Sequence, residues 1–196
     1  MMGRRYSAIL RHLGHTVDAV DIGDAIRVGW DHAIVATPTE THSEVLTQLA
    51  CQPPTKRRSV LMEKPLAKSI GDTERMFLAA EETDIDLYCV NQYGHLPEAQ
   101  SFIFRKDMAS SYDYYNSGKD GLVWDCFQIF ALASDTVTLK NDSPWWKCTI
   151  NGERLSSANM DIAYVRMVED FLGLKRRVWG REIVLKTTAR ILEYLK

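Results

Sequence analysis

Short apolar runs separated by helix-length amphipathic stretches organise the first half of the chain. Ala33–Thr37 (AIVAT) and Ser59–Glu63 (SVLME) are nearly continuous apolar runs, the pattern of strands covered on both faces. Leu87–Tyr93 reads as a further strand. Thr16–Asp21 (TVDAVD) alternates as a strand and ends on an acid. Over residues 4–13 the helical period puts Tyr6, Ile9, Leu10 and Leu13 on one face, and Gly14 is the expected stop. Thr41-x-x-Glu44 has the form of a capping box ahead of Val45, Leu46 and Leu49. Ser69-x-x-Asp72 resembles a second one ahead of Met76, Phe77 and Ala80. Strands alternating with helices at this spacing predict βαβ units and a parallel sheet.

After Tyr93 the rhythm changes. The pattern predicts a helix over Pro97–Arg105, a polar tyrosine-rich stretch over Asp107–Asp120 and a buried helix over Val123–Ala133. Thr136–Lys140 and Trp146–Ile150 read as strands, and Asn151-Gly152 is the strongest hairpin signal in the chain. A helix from Met160 to Leu174, capped by Asn159, turns Ile162, Val165, Val168, Phe171 and Leu172 inward. A final helix ends in ARILEYLK. The boundary between two lobes falls near Gln92–Pro97, giving domains 1–93 and 94–196.

Length and charge narrow the picture. The chain has 196 residues and balances 24 Lys+Arg against 26 Asp+Glu, so no global basic excess argues for a nucleic-acid partner. No apolar run approaches membrane-spanning length, so no membrane partner is expected. The four cysteines, Cys51, Cys89, Cys126 and Cys148, form no Cys-x-x-Cys pair. Neither a zinc site nor a redox dithiol is suggested, no metal is expected, and a reducing cytoplasm is the natural compartment. Cys89 and Cys126, among apolar residues, are most simply buried free thiols.

Three features of the first lobe carry chemistry. Asp21 closes its predicted strand, where a carboxylate can accept both hydroxyls of an adenosine ribose; most acids at that position are turn formers. Thr37-Pro38-Thr39-x-x-His42 leaves the carboxyl end of a buried strand and runs into a helix. Ligands of open α/β sheets sit at that edge and helix amides there meet anions; a capped turn with an exposed histidine is the equal alternative. Glu63-Lys64-Pro65 places an ammonium at the same edge, where it can polarise a carbonyl or hydroxyl oxygen or donate a proton. For an isolated lysine, plain surface exposure is the favoured reading.

The two segments DHAIVATPTETHSEVLTQLA and SVLMEKPLAKS, in that order with a helix between, resemble the glucose–fructose oxidoreductase/inositol dehydrogenase (Gfo/Idh/MocA) family of NAD(P)-dependent oxidoreductases. The resemblance is clear over about residues 1–93. It implies an α/β fold: a Rossmann-like doubly wound parallel sheet followed by a small α+β domain for substrate and dimerisation. It implies that Thr37, Pro38, Thr39 and His42 line the dinucleotide site, and that Lys64, with Glu63 and Pro65, sits beside the nicotinamide and the reacting carbon. Gly3, in Met1-Met2-Gly3-Arg4-Arg5-Tyr6, looks like the last glycine of a G-x-G-x-x-G loop whose first strand is missing. Gly3 and Arg4 join the expected cofactor residues. Two readings of that start stay open: a chain that begins upstream, which we favour as an expectation, or a reduced relative whose sheet closes differently.

The link from Asp21 to Ala33 is short, so the nucleotide half is trimmed. Asp21 disfavours a 2′-phosphate, which tilts the expectation to NAD over NADP, while Arg4 and Arg5 temper it. In the second lobe, Gly121–Gln128 resembles the family segment in which an Asp precedes a catalytic His. Asp125 matches; Gln128 stands in place of the His, and Ala131 in place of a second Asp. Gln128 can bond a substrate hydroxyl but cannot shuttle a proton near neutral pH. The expectation is an oxidoreductase acting on a secondary alcohol or carbonyl of a sugar, polyol or nucleotide sugar, with Lys64, Asp125 and Gln128 at the substrate. The resemblance also implies homo-oligomers through the second lobe's sheet. The alternatives are a non-catalytic dinucleotide-binding module and a structural interaction domain.

Overall fold

The computed structural model describes residues 2–21, 23–53, 57–90, 92–95, 103–104, 138–139, 149–150, 153–154, 157–173 and 180–194. They divide into two compact units, Met1–Val90 with Val168–Leu185, and Asn91–Met167 with Lys186–Lys196. In the first unit, helix α1 (Met2–His12) precedes strand β1 (His32–Val35), helix α2 (His42–Ala50), strand β2 (Arg58–Met62), helix α3 (Ile70–Glu82) and strand β3 (Ile85–Cys89). The strands form a parallel sheet in the order β1-β2-β3. Val35 stands beside Met62, and Met62 beside Cys89, so the three carboxyl ends lie level. The Rossmann-like α/β architecture is thereby present.

Local chemistry explains most element ends. Gly14, at a φ of +84°, closes α1 with bonds from its own N–H to the Arg11 carbonyl (3.0 Å) and from the His15 N–H to the Leu10 carbonyl (2.9 Å). That is a glycine-terminated paired cap, and the left-handed turn is open to glycine at no steric cost. Ser69 caps α3 by accepting the Asp72 N–H at 3.0 Å. The Thr41 box opens α2 at the expected place but does not close. The Thr41 hydroxyl donates instead to the Pro38 carbonyl at 2.7 Å, tying down the preceding turn.

β2 is buried along its whole length, as its apolar run requires of a central strand. On β3 the residues alternate: Ile85, Leu87 and Cys89 are buried, while Asp86 and Tyr88 are half-buried. Phe171, fully buried, sets its ring edge-to-face on Tyr88 (6.1 Å between centroids) and on His32 (5.5 Å). It lies in the last turn of helix α4 (Ser157–Leu172). Arg181, opening helix α5 (Arg181–Tyr194), bonds both carboxylate oxygens of Glu81 at 3.0 Å and Glu74 at 3.4 Å.

Several expectations need correction. Thr16–Asp21 is not a strand: among the described residues no strand pairs with it, and Val20 is 45% exposed. An alternating run has no ladder to join without a partner, so periodicity alone misleads there. Leu87–Tyr93 begins and ends late; the strand stops at Cys89, and a 3₁₀ turn spans Gln92–His95.

In the second unit, Ile103–Phe104 is a strand (β4) rather than helix, paired in parallel with β5 (Thr138–Leu139). β6 (Thr149–Ile150) and β7 (Glu153–Arg154) pair antiparallel across residues 151–152, the hairpin that Asn-Gly predicts. α4 starts at Ser157, so Asn159 lies inside it. Ile162 is 47% exposed, whereas Ala163, Tyr164 and Met167 are buried beside the expected Val168 and Phe171. The helix predicted over Val123–Ala133 lies outside the described residues.

Candidate functional site

The register fixes where the two sequence motifs meet. Thr37 follows Val35 by two residues and Lys64 follows Met62 by two, and Val35 and Met62 are paired neighbours. The Glu63 N–H donates to the Val35 carbonyl at 2.9 Å, extending the ladder to the motif itself. Both motifs therefore leave adjacent strands at the same carboxyl edge, the edge where open α/β sheets bind ligands.

His42 ties the two together. Its Nδ1 lies 3.0 Å from the Leu66 carbonyl, just past Glu63-Lys64-Pro65, and its Nε2 lies 3.0 Å from the Thr37 carbonyl. The ring is fully buried. It sits between the two turns with no exposed surface. The capped-turn alternative is corrected, since it had the histidine exposed.

A neutral imidazole can donate to one of the two carbonyls; an imidazolium donates to both. Burial nevertheless outweighs the two carbonyls and the nearby Glu63 and Glu40 carboxylates, and holds the His42 pKa below its ordinary value of 6.5. Below pH 6.5 the unfolded chain takes up a proton at this position that the folded chain refuses. Stability is present above 6.5 and declines as the pH falls toward the lowered folded value, by at most about 1.4 kcal/mol per pH unit. Urea unfolding at several pH values should show this decline in the parent chain and a flatter one in His42→Gln; equal slopes would refute it.

Glu63 is held from two sides. Its Oε1 accepts the Tyr6 hydroxyl at 2.7 Å and its Oε2 accepts the Lys64 main-chain N–H at 3.1 Å. The carboxylate is 7% exposed and Tyr6 2%. Tyr6 was legible in the sequence only as an apolar position on the face of α1; a phenol hydroxyl at a core position was the available signal. Pro65 is buried, Lys64 half-buried, and the Lys64–Pro65 peptide is cis. Directly beneath, burial in apolar surroundings, with Glu63 adding to it, pushes the Cys89 thiol well above its ordinary range.

Pro38 is exposed and Thr39 half-buried at the start of the 3₁₀ turn Thr39–Thr41. The Thr37 hydroxyl is buried without a hydrogen-bond partner. Gly3 and Arg4 are exposed in the first turn of α1, and a Cβ on Gly3 would meet nothing within 4 Å. Asp21 is exposed in a turn, its N–H on the Asp24 carboxylate at 3.0 Å, rather than at a strand end. Asp125 and Gln128 lie outside the described residues. Among the described residues no His, Cys, Asp and Glu group could hold a metal, and no helix is long and apolar enough to cross a membrane.

Comparison with known proteins agrees with this geometry. Residues 16–91 match the model of an oxidoreductase family with an NAD-binding Rossmann fold, GFO_IDH_MocA. An oxidoreductase from Agrobacterium radiobacter, crystallised with NAD+, L-tartaric acid and magnesium, has a similar fold, with a TM-score of 0.55 at 14% identity. The match covers 85% of this chain and 78% of that one. A "probable dehydrogenase" from Thermotoga maritima gives a TM-score of 0.51 at 11% identity, over 83% and 76% of the two chains. No curated protein matches the chain. Residues 16–91, with their level strand ends and with His42 between the two motifs, thus match an oxidoreductase family with an NAD-binding Rossmann fold, GFO_IDH_MocA.

Proposed function

We propose that the protein is an NAD(P)-dependent oxidoreductase that moves a hydride between nicotinamide and a secondary alcohol or carbonyl of a sugar, polyol or nucleotide sugar. The observation that carries this reading is the His42 clamp. The His42 ring lies between the Thr37 turn and the Lys64 corner, 3.0 Å from the Thr37 carbonyl and 3.0 Å from the Leu66 carbonyl, at one edge of a parallel sheet. The buried, unpartnered Thr37 hydroxyl fits the edge of a site meant for a polar group. Thr37, Pro38 and Thr39 would hold the dinucleotide, with Lys64 next to the ring.

A bound nicotinamide supplies the hydride acceptor or donor. The chain's own part is electrostatic and protonic. The Lys64 ammonium meets the substrate oxygen, stabilises negative charge on it during carbonyl reduction and gives it a proton; in the other direction it takes that proton back. Asp125 and Gln128 orient the substrate hydroxyls. Gln128 has no usable proton, so Lys64 carries the acid–base work.

The test is a fluorescence titration with NADH and with NADPH, followed by a turnover panel of D-glucose, myo-inositol and UDP-glucose. We expect saturable binding of at least one nucleotide and turnover with one substrate class. Failure of both nucleotides to bind would sink the reading. Binding without turnover would favour the non-catalytic module, the reading that Gln128 in place of the family's histidine supports.

A further inference from the structure

We propose that Tyr6 is a positioning residue for Lys64, acting through Glu63; the inference rests on Lys64 being the residue that meets the substrate. The helical period of α1 sends Tyr6 and Ile9 into the core, where both are buried. Packing there requires an aromatic ring but not a hydroxyl, and a phenylalanine would fill the same volume. The hydroxyl is 2.7 Å from Glu63 Oε1, a short bond to a nearly inaccessible carboxylate. Hydrogen bonds to ionised acceptors are about twice as strong as neutral ones.

The second oxygen of the same carboxylate accepts the Lys64 N–H at 3.1 Å. A carboxylate is planar and rigid, so fixing one oxygen fixes the other. Tyr6 thus sets the orientation of the Glu63 carboxylate, and the carboxylate sets the main chain at Lys64. Two residues further on, His42 Nδ1 faces the Leu66 carbonyl at 3.0 Å. The corner is therefore gripped at both ends, by α1 before the lysine and by α2 after it. A lysine side chain carries several rotatable bonds, and only a fixed Cα brings its ammonium to a reproducible place. Without the Tyr6 hydroxyl, Glu63 Oε1 loses this donor and the carboxylate is free to turn.

The experiment compares the parent chain with Tyr6→Phe by amide hydrogen exchange and by kinetics. In the free protein, exchange at the Lys64 amide should quicken at least tenfold in Tyr6→Phe, while the Val60 and Leu61 amides of β2 keep their rates. With NAD+ or NADP+ as hydride acceptor and the panel substrate that turns over, kcat should fall about tenfold with KM and NADH affinity within twofold. That loss should vanish when Tyr6→Phe is added to Lys64→Ala, because a residue acting through another has nothing left to act on. An unchanged Lys64 amide would overturn the proposal. So would a faster amide with unchanged kcat, which would make Tyr6 merely structural. If Tyr6→Phe does not fold, Glu63→Gln reads the same amide, since it loses the carboxylate that grips both partners. Should the parent chain bind neither nucleotide, the oxidoreductase reading fails, and the exchange measurement still decides whether Tyr6 holds Lys64.

Discussion

Replacing Arg58 with Met is expected to destabilise the protein by about 3 kcal/mol, because three main-chain carbonyls lose a charged donor at once. Arg58 opens β2 at the edge of the sheet opposite the candidate site and is 2% exposed. Its Nη1 donates to the Leu49 carbonyl at 2.9 Å and the Gln52 carbonyl at 3.0 Å, and its Nη2 to the Thr83 carbonyl at 3.3 Å. Leu49 lies in the last turn of α2, and Thr83 is the C-cap of α3. One guanidinium thereby serves the negative ends of two helices, where a cation is favoured. It also lies 4.9 Å from the Trp30 ring centroid, and Trp30 is held by its indole N–H on Gln52 Oε1 at 3.0 Å. Methionine keeps the apolar stem but none of the donors. Urea unfolding of the two proteins measures the loss; a difference under about 1 kcal/mol would mean that water replaces the guanidinium freely. NADH affinity under native conditions should survive, since the cluster stands at the far edge from Thr37 and Lys64.

Lys64→Ala should lower kcat by about 10²–10⁴-fold, the usual worth of a positioned acid–base group. NADH affinity should change little. The ammonium then acts on the substrate oxygen in the transition state rather than on ground-state nucleotide binding. The pair of readouts matters: turnover left intact would remove Lys64 from the mechanism, whereas lost nucleotide binding would recast it as a cofactor anchor. Lys64→Arg should recover little activity, because guanidinium does not give up a proton in the accessible pH range.

The candidate site was legible in the sequence to the extent that it is local. SVLME becomes the central strand, buried along its length as an apolar run requires, whereas its parallel neighbour AIVAT, equally apolar, is only half-buried at Ala33 and Ile34 at the end of the described sheet. Thr-Pro-Thr and Glu-Lys-Pro follow those runs, so their position at the carboxyl edge needed only the strand direction. Tyr6 and Arg58 were not legible in that way. Tyr6 looked like one more apolar position on a helix face, and the partner of its hydroxyl lies 57 residues away. Arg58 lies just outside the apolar run Ser59–Glu63, yet the strand begins at that residue and buries it. The strand expected over Thr16–Asp21 is absent for the converse reason. TVDAVD has the right alternation, but a strand exists only where a neighbour offers a ladder.

His42 shows the division most clearly. Order along the chain determined that it follows the Thr-Pro turn and opens a helix, since capping chemistry and period reach only a few residues. Whether it faced a ligand, solvent or the core depended on where Leu66 came to lie, 24 residues on. The sequence by itself determined the elements, their alternation and the two motifs, because these rest on short-range sterics and on the burial of apolar faces. Only the tertiary structure decided that one imidazole bridges the motifs and that one phenol grips the carboxylate beside the lysine. Hydrogen bonds between distant side chains depend on distances of a few ångströms, and those distances exist only once the sheet has closed.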